Sequence, residues 1–270
     1  INMHEYDPAI LDILKEGNFT KVRQLFVITD DNLDVIYDKF ELWCFVFTPA
    51  VFKKEEAEFH REIKRNLCDL YLGKIMSLTE IAFRGASKTT YAKLFVAFVL
   101  ANDQRKDRRK YFKIVSEDPI NSTQFSTDVY NILVGKKIKY YYPHLFQKTD
   151  LKREETKSSF TLSDGRKVLA STVDKGQRGH LQGEEASRPD FVIFEDFETS
   201  DTIQSLVISQ DIWRTMEEAW NGRSIDGVAL YNCNYISKRR NVQRILERAR
   251  RSPEAHRVHK VPILINGASA

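Results

Sequence analysis

The sequence predicts an α/β fold: a mainly parallel central sheet flanked by helices, with a helical region ahead of it. Three observations carry that expectation. Residues 75–100, IMSLTEIAFRGASKTTYAKLFVAFVL, pass from a β-prone apolar segment through a small-residue turn into a run with helical apolar spacing. Residues 191–194, FVIF, are bulky and apolar throughout, as a strand buried on both faces requires, and two acids follow them. Elsewhere strand-like and helix-like segments alternate, the arrangement that builds βαβ units.

In chain order, residues 1–70 read as helices. Pro8 to Leu14 form a short helix stopped by Gly17-Asn18, and Leu33 to Phe47 are an apolar run ended by Thr48-Pro49. Ile63, Leu67, Leu70 and Tyr71 then recur at helical spacing. The turn Arg84-Gly85-Ala86-Ser87 leads into Lys88-Thr89-Thr90 at a helix start. Strand, small-residue turn, Lys-Thr and helix is the layout of a phosphate-binding P-loop. Backbone N–H groups of the turn and helix start would cradle β- and γ-phosphates, Lys88 would reach them, and the Thr89 hydroxyl would ligate Mg²⁺.

Against the pattern G-x-x-x-x-G-K-[ST], Ala82 and Ser87 stand where the signature glycines would be. Ser87 must therefore avoid a positive φ or store strain. Given a nucleotide, the N-terminal region reads as a helical subdomain packed on the sheet or as a lid over the base. Phe59 or His60 would then lie near the ring, and the two readings are compatible.

Further on, Tyr111 to Ser116 read as a second strand, Val129, Ile132 and Leu133 as part of a helix, and residues 158–172 as a hairpin turned at Ser163-Asp164-Gly165-Arg166. Trp213, Met216 and Trp220 form a helical stripe, read as core packing. The expected organisation is a helical or lid region over 1–70, a core over 71–262, and a linker beginning at 263–270.

Composition narrows the class. A chain of 270 residues, 42% hydrophobic and 30% charged, has an ordinary globular balance. No eighteen-residue apolar run exists and no basic segment precedes an apolar core near residue 1, so neither a membrane span nor secretion is expected. Cys44, Cys68 and Cys233 lie far apart, which fits reduced buried thiols in a cytosolic protein. The net charge of +4 does not by itself indicate nucleic acid. Basic residues nevertheless cluster at 105–113, 136–139, 238–240 and 244–251, either as solvated faces or as a track for a phosphate backbone.

Glu195-Asp196 stand at the C-terminal end of a predicted central strand, where open α/β sheets bind ligands. A P-loop hydrolase needs two acids there, one in the Mg²⁺ shell and one to orient and deprotonate the attacking water. By position Glu195 takes the metal role and Asp196 the water role. The usual order puts aspartate first, so the roles are exchangeable, and Glu198 can stand in for either. Coincidence with Lys88-Thr89 upstream points to nucleotide hydrolysis.

Gly176-Gln177-Arg178-Gly179 together with residues 188–198, RPDFVIFEDFE, resembles the ATPase domain of tailed-bacteriophage large terminase subunits, the motors that package viral DNA. In that family an Arg-Gly segment precedes an Arg-Pro-Asp lead into the acid-tipped Walker B strand, and the P-loop, or Walker A, carries an early Arg-Gly as Arg84-Gly85 do. Phe59-His60-Arg61-Glu62 is similar to the segment that contacts adenine, and residues 231–236, YNCNYI, to the strand end that couples hydrolysis to DNA movement. The resemblance covers residues 50–245. It departs from the family at Ser87, which replaces a glycine, and at Glu195, which replaces the usual aspartate.

This resemblance implies a P-loop NTPase fold of the ASCE type, ATP and Mg²⁺ as cofactors, and either a homo-oligomeric ring when assembled on a procapsid portal in the host cytoplasm or a monomer in isolation. Double-stranded DNA contacted through its backbone, the portal and the small terminase subunit would be partners, with no membrane. The nuclease domain of full-length large terminases is not expected here, nor is cleavage activity. Arg84 would sense the γ-phosphate in cis or sit exposed on its loop. Arg178 would serve as an arginine finger toward a neighbouring subunit, or face DNA or solvent, with Arg188 as an alternative. Asn234 would bind the attacking water or the γ-phosphate, or merely make a turn. The phosphate and base contacts are then Phe59, His60, Arg84, Gly85, Ala86, Ser87, Lys88, Thr89 and Thr90, and the metal contacts Thr89 and Glu195. Two rivals stand beside this reading: a helicase-type ATPase, and a degenerate P-loop module that binds nucleotide or DNA without hydrolysis.

Overall fold

The computed structural model describes residues 7–52, 56–146, 159–172, 188–234, 240–261, 264–265 and 268–269. Four helices come first: α1 (Pro8–Glu16), α2 (Phe19–Gln24), α3 (Leu33–Phe47) and α4 (Glu58–Tyr71). Asp7 caps α1 through Ala9 N–H with Pro8 in the first turn, and Gly17 ends it at φ 65°. Then follow β1 (Ser77–Ile81), α5 (Lys88–Asn102), β2 (Tyr111–Ser116), α6 (Pro119–Leu133) and α7 (Lys136–Tyr141). The expected hairpin forms as β3 (Ser159–Thr161) and β4 (Lys167–Thr172). The chain continues through β5 (Phe191–Glu195), α8 (Leu206–Asn221), β6 (Val228–Cys233), α9 (Asn241–Arg251) and β7 (His256–Lys260), with a two-residue pair β8 (Leu264–Ile265) and β9 (Ala268–Ser269).

Seven strands form one sheet in the order β3-β4-β2-β5-β6-β1-β7, parallel except for β3. The predicted α/β class is thus met, with helices on both faces. Leu78, Phe112, Ile114, Phe191, Ile193, Val228 and Leu230 face one layer, where Phe40 and Trp43 of α3, Phe95 and Phe98 of α5 and Phe125 of α6 complete the larger core. Ile81, Val115, Val192, Phe194, Tyr231 and Cys233 face the other, against Ile212 and Met216 of α8 and Val242, Ile245 and Leu246 of α9. The period-two alternation that divides these sets also decides which polar residues share a face near the strand ends.

Helix α5 is apolar nearly all round and buried along its length, as a helix sandwiched between a sheet and other helices must be. The N-terminal helices belong to the same continuous core. Phe40 meets Phe95 edge-on at 5.0 Å between ring centres, and Tyr71 meets Phe95 at 5.6 Å. Beside these contacts Lys64 is wholly buried between Glu41 and Glu56, and Glu56 accepts from Tyr91 of α5 at 2.5 Å.

At the N-terminal edge of the sheet Asp190, of the Arg-Pro-Asp segment, accepts from Lys110 and Tyr111 N–H at 2.7 and 3.0 Å. That ties the start of β5 to the start of β2. Trp213 and Trp220 pack against the second core, with Arg248 over both rings, so the stripe is packing, as expected. Strand β7 carries no expectation from sequence, since HRVHK shows a single apolar residue. It forms by pairing with β1, and His259 is held there by Glu80 and Glu62 at 2.6 and 2.7 Å. No described helix is long and apolar enough to cross a membrane, and the three cysteines are buried and free.

Candidate active site

The loop between β1 and α5 turns on two left-handed residues, Gly85 at φ 91° and Ser87 at φ 61°. Ser87 thus takes the strained alternative rather than avoiding a positive φ, at a cost of about 1–2 kcal/mol. The surroundings hold it there. Ala86 is buried and donates its N–H to Phe83 at 3.2 Å, and the Ser87 carbonyl accepts from Tyr91 N–H at 2.9 Å. The Ser87 side chain makes no capping bond, so it does not compete for the N–H groups at the start of α5.

From that helix start two side chains reach the ends of β5 and β6. Lys88 Nζ donates to Asn234 Oδ1 at 3.1 Å, and Asn234 Nδ2 donates to Asp196 Oδ1 at 3.4 Å. Beside this pair, Thr89 Oγ1 donates to Glu195 Oε1, and Asn232 Nδ2 donates to Glu195 Oε2 at 3.0 Å. Five of the predicted residues are therefore brought together at the C-terminal edge of the sheet. Thr90 follows them in the first turn of α5. Asp196 is, among the described residues, the other non-glycine residue with positive φ, 41°, which bends the chain away from β5 directly after Glu195.

Burial pushes the Glu195 carboxyl up to about 7, and the neighbouring Asp196 charge pushes the same way, against the Thr89 and Asn232 hydrogen bonds and the Lys88 charge. Among the described residues no three His, Cys, Asp or Glu side chains converge as a metal cage. Mg²⁺ does not require one: it takes one or two protein oxygens, substrate phosphates and several waters. The Thr89 hydroxyl and Glu195 carboxylate supply such oxygens. On the strands either side of Glu195, Ser116 Oγ and Asn232 Oδ1 are buried without a partner, a polar lining suited to a hydrated ion. The donor set fits Mg²⁺.

The remaining predicted residues sort by position. Phe59 lies against the turn, 6.1 Å from Phe83 between ring centres, within a small cluster with Ala82, Ala86 and Val261. The ring of His60 sits 4.1 Å from that of Phe59, but its Nδ1 accepts from Ala57 N–H at 3.1 Å and so caps α4. Arg84 is exposed at the tip of the turn. Arg178 lies outside the described residues. Arg188 is exposed and leads into β5 at the opposite edge of the sheet from the site. Glu198 is engaged apart from the other two acids. It is buried and accepts from Asn241 and Val242 N–H at 2.5 and 3.4 Å, closing the start of α9.

Asn232 and Ser116 escape the sequence motifs. A signal existed for Asn232: Val228 and Leu230 place it on the same buried face, where a lone amide needs a reason. A scan against models of known protein families finds no match, and a search of curated proteins finds no significant relative.

Proposed function

We propose that the chain is the ATP-hydrolysing motor domain of a viral DNA-packaging terminase, built on a P-loop NTPase fold of the ASCE type. The observation that carries this reading is the convergence of Lys88, Thr89, Glu195, Asp196 and Asn234 beside a left-handed turn at the C-terminal edge of the sheet. The terminase-like motifs in the sequence support the more specific part of it.

Bound at this site, Mg²⁺ would supply charge neutralisation to the nucleotide phosphates. The chain does the rest. N–H groups of residues 85–88 bind phosphate, and Lys88, aimed by Asn234, adds a point charge. Asp196 orients a water for attack on the γ-phosphate and takes its proton, with Asn234 beside it. Thr89 and Glu195 would hold the metal ion. Phe59 offers an apolar surface for the base, while Arg84 in cis or Arg178 in trans stabilises charge in the transition state. A ring of subunits at the procapsid portal, in the host cytoplasm with the small subunit, would turn each cycle into movement of double-stranded DNA. Contact to the DNA backbone would be steeply salt-dependent.

The test is Mg²⁺-dependent phosphate release from ATP at high protein concentration, for wild type, Glu195→Ala and Asp196→Ala. Activity that rises with concentration and disappears in both variants is expected. Wild type that binds no ATP would overturn the reading. The strained Ser87 favours one rival, a module that binds nucleotide without turnover. ATP bound by wild type, lost in Lys88→Ala and never hydrolysed would select it.

A further inference from the structure

On the face of the sheet that carries Glu195, two buried side-chain oxygens among the described residues have no partner, Ser116 Oγ and Asn232 Oδ1, and both flank Glu195. In register across the strands, Ser116 of β2 stands beside Glu195 of β5, and Asn232 of β6 stands on its other side. All three point to the layer that contains α5, since Ile114, Ile193 and Leu230, two residues earlier on each strand, belong to that core. Ser116 is 0% exposed and its Oγ has no partner among the described residues; Asn232 is 1% exposed and its Oδ1 has none. Leaving such groups unpaired costs about 1–3 kcal/mol each, so buried polar atoms without partners call for an explanation.

The neighbours do not supply one. Next in register beyond Asn232 is Glu80, whose oxygens are committed to Asn66 Nδ2 at 3.4 Å and His259 Nδ1 at 2.6 Å. The amide of Asn232 is oriented by its donation to Glu195, which turns Oδ1 into an acceptor awaiting a donor. A serine hydroxyl accepts as readily as it donates. Two acceptors bracketing a carboxylate that faces a threonine hydroxyl match the protons of water molecules around a small hard cation.

We infer that Ser116 and Asn232 hold the waters of the Mg²⁺ ion carried by Thr89 and Glu195, Asn232 also fixing the Glu195 carboxylate. They are positioning residues, acting through water and through Glu195 rather than on the phosphate. The inference rests on the proposed nucleotide site. Groups of this kind around metal ligands change metal affinity by about 10–100-fold when removed.

The experiment uses the full chain with a non-hydrolysable ATP analogue and Mn²⁺ as the probe, free Mn²⁺ being read by electron paramagnetic resonance. Ser116→Ala and Asn232→Leu are compared with wild type, alongside Thr79→Ala. Thr79 Oγ1 is also buried and unpartnered, but lies on the opposite face of the sheet, so it controls for loss of a buried hydroxyl alone. Expected is about tenfold weaker Mn²⁺ binding in Ser116→Ala and Asn232→Leu, with Thr79→Ala unchanged. Ser116→Ala should melt no lower than wild type, because it removes an unpaired buried hydroxyl, so weakened binding cannot be ascribed to unfolding. Wild-type binding of Mn²⁺ with nucleotide that is matched by both variants would overturn this inference and leave the proposed function standing. No binding by wild type would overturn both.

Discussion

Thr89 and Glu195, 106 positions apart in the chain, meet through a hydrogen bond from the hydroxyl of one to the carboxylate of the other. The first belongs to the opening turn of α5 and the second ends β5, two strands away from β1 in the sheet. The bond joins the predicted phosphate loop to the predicted acids.

Glu195 makes the fold sensitive to pH. Its carboxyl is raised from 4.5 to about 7 by burial, so the folded chain holds this proton more tightly than the unfolded one. Stability should therefore fall as pH rises from about 4.5 to about 7, by about 3 kcal/mol, and stay low above. Denaturant titrations across that range, with chelator present, should show this slope in wild type and a flatter one in Glu195→Gln. An equal slope in both would refute the assignment.

His259 acts in the opposite sense. Burial lowers its pKa, but the hydrogen bond and charge of Glu80, with Glu62 adding to them, hold it above the ordinary histidine value. A raised histidine contributes stability that is complete below its unfolded value near 6.5 and is lost as pH rises through the folded value. Thermal unfolding of His259→Gln should accordingly fall well below wild type at pH 5.5 and approach it at pH 9. A gap that widened with pH would contradict the Glu80–His259–Glu62 arrangement.

Ser87 stores strain that glycine would release. Ser87→Gly should raise stability by about 1 kcal/mol, a shift of about 2–4 °C in melting temperature for a chain of this size. Nucleotide affinity, measured by calorimetry, should be retained. A lower melting temperature would mean that the left-handed geometry is not what serine tolerates here.

Glu198 supports α9 rather than the reaction. Glu198→Ala leaves two N–H groups at the helix start without their acceptor, and should destabilise by about 1–2 kcal/mol in chemical denaturation. Phosphate release should drop less than in Asp196→Ala. Complete loss of turnover at unchanged stability would instead put Glu198 in the chemistry.

Legibility differed by element. Strand β2, helix α5 and the apolar β5 were readable because each depends on its own local pattern: β-prone residues between turns, a capless apolar run, four bulky residues in line. Strand β7 was not, because HRVHK becomes a strand only by pairing with β1 and by charge contacts to α4. The acidic cluster was readable as a cluster, yet the separate tasks of its members were not. Glu195 turns toward Thr89 and Glu198 toward Asn241, a division made by the positive φ at Asp196 and by where α9 begins.

By itself the sequence determined the α/β class, the strand–turn–helix layout of β1 and α5 and the pair of acids at the end of β5, since these follow from short-range periodicity and from residue types at fixed spacing. Only the tertiary structure decided strand order, and with it which side chains share a face. Inserting β6 between β5 and β1 places Asn232 against Glu195 and Asn234 between Lys88 and Asp196. Hydrogen bonds act over about 3 Å, whereas the partners are separated by tens of residues, so only closure of the whole sheet brings them within range.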